Sequence, residues 1–393
     1  MIGENLRHLR VFLAVADCGS VTQAAGLSFV SQPAVTQAIA KLESLAGQAL
    51  FKRSRQGLFL TDAGQFLERR ARRAIGALDA ALGDIAARLV LTATRPQLQA
   101  LTATVEAQNF SLAARRLGVS QPSVHRAVSQ LETEAGRPLF QRSHFGVTPT
   151  RQSEHLARVV RLTFAELDQA ATELADLLGK EVGEIVVGAM PLSRSFVLPR
   201  ALSGFRQRRR TMGVRIVEGS YDELLGGLRR GEIDFLIGAL RDPVPVADVV
   251  QEALFIDSLV LVSGAGHPLL SGSTVSLDSL CDYPWLTARR GTPSRDRFEA
   301  MFDVAAHAQP ASIIETGSIM LIRQMLPDNL HLACVSKMQA KIEIDRGDFS
   351  VLPWRVDQSE RQIGLTFRAD WEPTPAQRFL LDEIRRAGGE VGV

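Results

Sequence analysis

The sequence predicts a multidomain chain, α-helical over its first 180 residues and α/β thereafter, and three observations carry that prediction. A block occurs twice. Residues 9–67 align with 98–156 without gaps, at a constant offset of 89, and about 21 of 59 positions are identical. That is far above chance, so two copies of one folding unit follow each other. Apolar residues recur at helical spacing up to about residue 178, and from Glu184 short strand-like runs alternate with helical ones. Charge also divides: residues 1–180 hold 21 Lys/Arg against 15 Asp/Glu, and the rest of the 393 residues hold 24 against 28. A basic front half suits a polyanionic partner.

In the first copy, Leu6, Leu9, Phe12, Leu13 and Ala16 predict an amphipathic helix over residues 5–17, which Gly19 ends. Ser20 or Thr22 caps a second helix, Val21–Leu27. Ser31 followed by Pro33 opens a third, Gln32–Ala46, because a serine cap ahead of a first-turn proline is a strong helix start. That helix buries Val35, Ile39 and Leu42 and shows Gln32, Thr36, Gln37 and Lys41. Leu50-Phe51 and Leu58-Phe59-Leu60 form two short strands around a basic turn that carries Arg53 and Arg55. The second copy repeats the plan: Asn109 or Ser111 as cap, helix Ala113–Leu117, polar-faced helix Gln121–Ala135, and the wing Arg142-Ser143-His144-Phe145-Gly146. This order of elements is a winged helix-turn-helix, which offers the start of its third helix to the major groove and its wing to phosphates.

After each copy comes a long apolar stripe. Residues 64–91 carry Phe66, Leu67, Ala71, Ile75, Leu78, Leu82, Ile85 and Leu89, with Arg69, Arg70, Arg72 and Arg73 on a polar face read as solvated. Residues 154–178 carry Leu156, Val159, Val160, Leu162, Leu167, Ala171, Leu174 and Leu178, and Gly179-Lys180-Glu181 is a stop and linker. Each stripe needs a partner to cover it, which favours self-association.

Beyond the linker, predicted strands are Ile185–Gly188, Val214–Glu218, Asp234–Gly238, Ser258–Ser263, 284–288, Ser312–Glu315 and His331–Val335. The helices between and after them are Phe196–Arg209, Tyr221–Arg230, 276–281, Ser294–His307, Gly317–Leu326 and Ala376–Ala387. Alternation of this kind predicts a parallel, doubly wound architecture in two lobes.

Several function classes are excluded. Cys18, Cys281 and Cys334 are odd in number and lack metal-ligand spacing, so neither a disulfide framework nor a structural metal is expected. Glu4, Arg7, His8 and Arg10 break any signal-peptide core, and the most apolar stretch, Ile75–Ala93, is interrupted by Asp79, Asp84 and Arg88. The expectation is a soluble cytoplasmic protein without a membrane partner. Gly264-x-Gly266 follows a strand, yet Leu269 stands where a dinucleotide fingerprint needs glycine. No phosphate loop, nucleophile elbow or paired histidines occur among His8, His125, His144, His155, His267, His307 and His331. No catalytic residue, metal or cofactor is predicted.

The motif Ala24-Ala25, Val30-Ser31-Gln32-Pro33, Val35, Leu42-Glu43, Leu50-Phe51-x-Arg53 and Thr61-Asp62-Ala63-Gly64 closely resembles the DNA-binding segment of LysR-type transcriptional regulators. The second copy matches through Thr150, then has Gln152 and Ser153 where the first has Ala63 and Gly64. The resemblance implies base or backbone contact by Thr22, Ser31, Gln32, Pro33, Thr36, Gln37, Lys41, Arg53 and Arg55. In the second copy it implies the same for Ser111, Ser120, Gln121, Pro122, His125, Arg126 and Arg142. Such regulators normally carry one head; this chain carries two, with Thr36/His125, Gln37/Arg126 and Lys41/Gln130 differing at groove-facing positions. Different base preferences follow.

The C-terminal half resembles the same family's effector domain, a periplasmic-binding-protein-like α/β module. The matching segments are Gly183–Gly188, Leu198-Pro199…Phe205, Gly231–Phe235, Gly266–Leu269 and Arg361–Leu365. Around its expected cleft lie Ser193, Ser195, Ser220, Thr287, Arg290, Thr292, Thr316 and Ser318. Hydroxyls at helix starts plus an arginine favour a small anionic effector, although half of these residues are expected to be plain caps.

The domain organisation expected is head 1 at 1–64, a linker helix at 65–94, head 2 at 95–152, a linker and dimerisation helix at 153–180 and the two-lobed effector domain at 181–393. The function expected is sequence-specific transcriptional regulation under control of a small molecule. The partners expected are double-stranded operator DNA, the effector, further copies in a homodimer or homotetramer, and RNA polymerase. The competing readings are a sensor or carrier whose helix-turn-helix units serve protein contacts, and an enzyme built on a solute-binding lobe.

Overall fold

The computed structural model describes residues 2–143, 146–272, 274–303, 310 and 312–390. The chain divides into two compact units near Glu184, taken in turn.

The first unit contains α1 (Leu6–Cys18), α2 (Val21–Leu27), α3 (Gln32–Ala46), β1 (Phe51–Ser54), β2 (Gly57–Leu60) and α4 (Asp62–Gly83). It continues with α5 (Ala87–Thr92), α6 (Arg95–Ala107), α7 (Phe110–Leu117), α8 (Gln121–Ala135), β3 (Phe140–Ser143), β4 (Gly146–Pro149) and α9 (Arg151–Leu177). Side-chain caps explain the starts. The Asn5 Oδ1 accepts the N–H groups of Arg7 and His8, and the hydroxyls of Ser20, Ser31, Thr61, Ser120 and Thr150 accept N–H groups three residues on. Gly19, Gly47, Gly118 and Gly136 close helices in the left-handed conformation that glycine enters most cheaply.

Two expectations change here, and two open alternatives are resolved. The helix expected over 64–91 stops at Gly83, and a separate short helix begins at Ala87. The break lets Ile85 and Leu89, both buried, turn back onto the core rather than continue outward along the helix axis. Asn109 rather than Ser111 caps α7, and Ser20 rather than Thr22 caps α2. The apolar stripes of α4 and α9, expected to be covered by a second subunit, cover each other within one chain: both belong to a single core cluster.

The second unit runs β5 (Glu184–Ala189), α10 (Pro191–Ser195), α11 (Val197–Arg208), β6 (Gly213–Val217), α12 (Tyr221–Arg229), β7 (Phe235–Ala239), β8 (Val249–Asp257) and β9 (Leu259–Gly264). Then come α13 (Leu277–Cys281), β10 (Trp285–Thr287), α14 (Pro293–Asp303), β11 (Ile313–Glu315), α15 (Ile319–Met325), β12 (Leu332–Ser336), α16 (Lys341–Arg346), β13 (Phe349–Val351), β14 (Arg361–Arg368) and α17 (Pro375–Gly389). Two five-stranded sheets form, in the orders β6-β5-β7-β14-β8 and β11-β10-β12-β9-β13. They are mixed, not purely parallel as expected. β5 pairs parallel with β7, but β14 is antiparallel to β7 and β8. β10 is parallel to β11 and β12, whereas β9 is antiparallel to β12 and β13.

β8, β13 and β14 were not expected as strands. β8 lies at a sheet edge with only its two end residues, Val249 and Asp257, buried, and β14 supplies an interior strand from far along the chain. The chain therefore leaves the first sheet after Asp257, builds the second, and returns at Arg361. Two strand crossings join the lobes. The predicted helix end at His307, and His144 and Phe145 of the second wing, lie outside the described residues.

Candidate nucleic-acid interface and ligand cleft

Each head presents its third helix by the same local means. In α3, Val35, Ala38, Leu42 and Ala46 face inward, while Ile39 is only partly covered; Ser31, Gln32, Pro33, Thr36, Gln37 and Lys41 are exposed. In α8, Val124, Val128 and Leu131 face inward; Ser120, Gln121, Pro122, His125, Arg126 and Gln130 are exposed. Thr22, Arg53, Arg55 and Ser111 are exposed as well. Arg142 sits in β3, but its side chain lies outside the described residues.

The reading faces are partly pre-set by internal bonds. Thr36 Oγ1 donates to Gln32 O (3.2 Å), so its proton is committed while its oxygen remains an acceptor. The His125 ring rests edge-on against Phe110, centroids 5.2 Å apart, with Ser129 Oγ 3.5 Å from Nδ1. Gln130 accepts from Gln97 Nε2 (3.1 Å), which ties this end of α8 to α6.

A role that the sequence reading missed belongs to Glu43 and Glu132. Glu43 Oε1 accepts the N–H groups of Leu50 (2.9 Å) and Phe51 (3.3 Å). Glu132 Oε1 accepts those of Leu139 (2.8 Å) and Phe140 (3.2 Å). In both copies the reading helix is thereby locked to its wing strand through an acceptor that satisfies two orphan donors. The repeated Leu-Glu pair was the signal. The Gly64-to-Ser153 departure is also accommodated, since Ser153 Oγ donates to the Leu139 carbonyl (2.6 Å).

Arg70 departs from expectation: it is fully buried, not solvated. Its Nε and Nη2 meet Glu173 at 3.0 and 2.8 Å, and its Nη1 meets Glu166 at 2.9 Å and Gln169 at 3.1 Å. Burial works against the charged guanidinium, but the bonds to Glu173 and the charge of Glu166 outweigh it and hold Arg70 protonated.

In the second unit the predicted hydroxyls divide. Ser193 is buried and donates to Met190 O (2.7 Å); Ser220 exchanges bonds with Glu223; Thr292 donates to Arg289 O (2.7 Å); Thr316 Oγ1 accepts Ser318 N–H (3.0 Å); Ser318 caps α15. These are caps and turn locks. Ser195 is half-buried. Thr287, at the carboxyl end of β10, is different: its hydroxyl is buried and finds no hydrogen-bond partner among the described residues. Carboxyl ends of strands are where ligands enter such sheets.

The lobes approach each other at this level. A Cβ placed on Gly317 would stand 3.8 Å from Pro191 Cγ, so the turn before α15 faces the one that opens α10. Arg290, the predicted cation, is 79% exposed and lies 3.4 Å from Glu315. The arginine at the root of this region is Arg295, unpredicted and buried, held by Glu299 (2.7 Å), Glu315 (3.1 Å) and the Ala288 carbonyl (3.4 Å).

Comparison with known proteins gives the same two-part division. Residues 178–389 match the family described as "LysR substrate binding domain". Residues 6–65 and, separately, 96–154 match "Bacterial regulatory helix-turn-helix protein, lysR family". The chain is 34% identical over 385 residues to the HTH-type transcriptional regulator GalR of Pseudomonas putida, covering 97% of both. It is 30% identical over 299 residues to the HTH-type transcriptional regulator PcaQ of Agrobacterium fabrum, covering 94% of that protein but 75% of this chain. A crystal structure of ArgP from Mycobacterium tuberculosis shares the fold at a TM-score of 0.56 and 18% identity, over 75% of this chain and 96% of that one. No helix among the described residues is long and apolar enough to cross a membrane.

Proposed function

The chain belongs to the LysR family of bacterial transcriptional regulators, DNA-binding proteins with an effector-binding domain and not enzymes, and on that premise we propose that both of its heads read DNA. The observation that carries this is the pair of exposed polar faces, Gln32-Pro33-Thr36-Gln37-Lys41 and Gln121-Pro122-His125-Arg126, each at the start of a capped and wing-locked helix. Ser31 and Ser120 open those faces; Thr22, Ser111, Arg53, Arg55 and Arg142 reach phosphates beside them. Glutamine suits adenine and arginine suits guanine, so unlike faces favour unlike sequences.

The effector we propose is a small carboxylate or phosphate held between the lobes, with the Thr287 hydroxyl as its buried partner, Arg290 as its exposed cation and Ser195, Thr316 and Ser318 at the rim. Ser193, Ser220 and Thr292 act as structural locks. The effector must bind the two lobe arrangements unequally in order to alter DNA binding or polymerase contact. The working form is a cytoplasmic homodimer or homotetramer that meets RNA polymerase at the promoter.

Footprinting the intact protein on DNA upstream of its own gene tests the heads. Gln32→Ala with Thr36→Ala should erase one part of the footprint, and Gln121→Ala with His125→Ala another. Affinity should fall with salt by about 0.9 in log K per log salt for each phosphate contact. A footprint untouched by either pair removes that head from the reading.

A further inference from the structure

The two heads are joined by a seam whose contacts are reciprocal. The seam residues of α4 and of the turn after it, Leu67, Ala71, Ala74, Leu78, Ala81 and Ile85, are all buried. Adding the repeat offset of 89 gives Leu156, Val160, Thr163, Leu167, Ala170 and Leu174, buried likewise. Both sets step by four and three residues, the spacing of a two-helix seam.

The polar contacts across this seam come in swapped pairs. Gln48 Nε2 donates to Leu174 O (3.0 Å), and the Arg137 guanidinium donates to Ile85 O. Arg137 is the counterpart of Gln48, and Leu174 that of Ile85. Thr163 Oγ1 donates to Ala74 O (3.3 Å), and these two residues are counterparts of each other. Contacts of i with j′ and i′ with j, plus a residue meeting its own counterpart, are the mark of a two-fold axis rather than a translation. The axis passes at Ala74 and Thr163.

One feature of the seam is not symmetric. Arg70 meets Glu166, Gln169 and Glu173, but its counterpart is Val159, and theirs are Ala77, Ala80 and Asp84. Pairing α4 with another copy's α4 would set Arg70 against two alanines and one aspartate. Pairing α9 with α9 would bury Glu166 and Glu173 against valine. The α9 pairing leaves buried carboxylates without their cation, and the α4 pairing offers Arg70 one shorter carboxylate in place of three acceptors, so the cluster favours α4 against α9.

We infer that the two heads of one chain form an internal pseudo-dimer, and that its DNA partner is a pair of inverted, unlike half-sites bound by a single chain. Operator symmetry mirrors the symmetry of the reading heads, so a tandem repeat in sequence reads an inverted repeat in DNA. The halves differ because Thr36, Gln37 and Lys41 face one, and His125, Arg126 and Gln130 the other. This rests on the proposed DNA reading by both heads, and the two can fail separately.

The test has two arms on the full-length protein. Duplexes are selected from a random-sequence library, and Ala74→Cys/Thr163→Cys is oxidised and run on a denaturing, non-reducing gel beside each single variant. The expected result is enrichment of two different half-sites in inverted orientation, with a cross-link that leaves the chain at monomer size. Gln32→Ala/Thr36→Ala should then weaken binding about tenfold or more through one half only, and Gln121→Ala/His125→Ala through the other. Direct repeats, identical halves, or dimer-sized product from Ala74→Cys alone or from mixed single variants overturn the inference. Failure to enrich any sequence while the cross-link stays within one chain refutes DNA reading, and the paired-site inference with it, but leaves the seam standing.

Discussion

Arg361 grips Asp257 where the two strand crossings pass between the lobes: Nε and Nη2 lie 3.2 and 3.0 Å from Asp257 Oδ2. The other carboxylate oxygen accepts Ser336 Oγ (2.9 Å) and the Met338 N–H (3.2 Å), and Arg361 Nη1 donates to Ser294 Oγ (2.6 Å). Asp257 and Arg361 belong to the first sheet, Ser294 and Ser336 to the second lobe. One ion pair therefore anchors both lobes at their hinge, and removing the arginine strands a buried carboxylate. Arg361→Met should cost about 3 kcal/mol of stability, read as a shift in urea midpoint at unchanged m-value. A loss below about 0.5 kcal/mol would show that the pair contributes little.

The Arg70 cluster makes a second prediction by contrast. Arg70→Met leaves the buried Glu173 without its cation, while Glu166 keeps Arg73 at 3.6 Å, and should destabilise the first unit by about 3–5 kcal/mol. Arg70→Met combined with Glu166→Met and Glu173→Met removes the stranded charges along with their partner. It should recover most of the loss while relaxing the preference of α4 for α9. Equal stability of the single and triple variants in thermal melts would contradict this account.

Phe29 is strained without compensation. It stands at φ 52° and is 87% exposed, while the matching position of the second copy is Gly118 at φ 67°. A bulky residue in that region costs about 1–2 kcal/mol, and glycine returns part of the gain through its freer unfolded state. Phe29→Gly should raise stability by about 0.5–1 kcal/mol. A destabilised variant would mean that the phenyl ring packs in the folded protein.

His267 sets an acid limit. Its Nδ1 accepts the Leu269 N–H (3.2 Å), its Nε2 is buried without a partner among the described residues, and its ring lies 4.5 Å from that of Tyr283. Burial pulls its pKa below the usual 6.5, against a smaller upward pull from Asp328. The unfolded chain thus takes up this proton first. The stability that the neutral ring supplies is full above about pH 6.5 and falls as pH drops below it, levelling off under the folded value. His267→Asn keeps an acceptor for Leu269 and should flatten that part of the stability profile. Identical pH slopes in the two proteins would remove His267 as the cause.

The sequence by itself determined what local interactions encode. The serine caps ahead of Gln32 and Gln121, the glycine stops, the outward polar faces and the 89-residue repeat all act within a few residues of chain. They were legible for that reason, and the family followed from them. The site in the second unit was legible only as a region. The locks bond residues two or three positions away, as at Ser193, Ser220 and Thr292, whereas the burial of Arg295 rather than Arg290 involves Glu315, 20 residues on. The tertiary structure alone decided that α4 pairs with α9, that β14 returns to the first sheet, and that Asp257 meets Arg361 across 104 residues. An apolar stripe specifies that it must be covered, but not by what. The choice of cover lies in complementary charge and shape on a distant segment, and only the folded chain brings the two together.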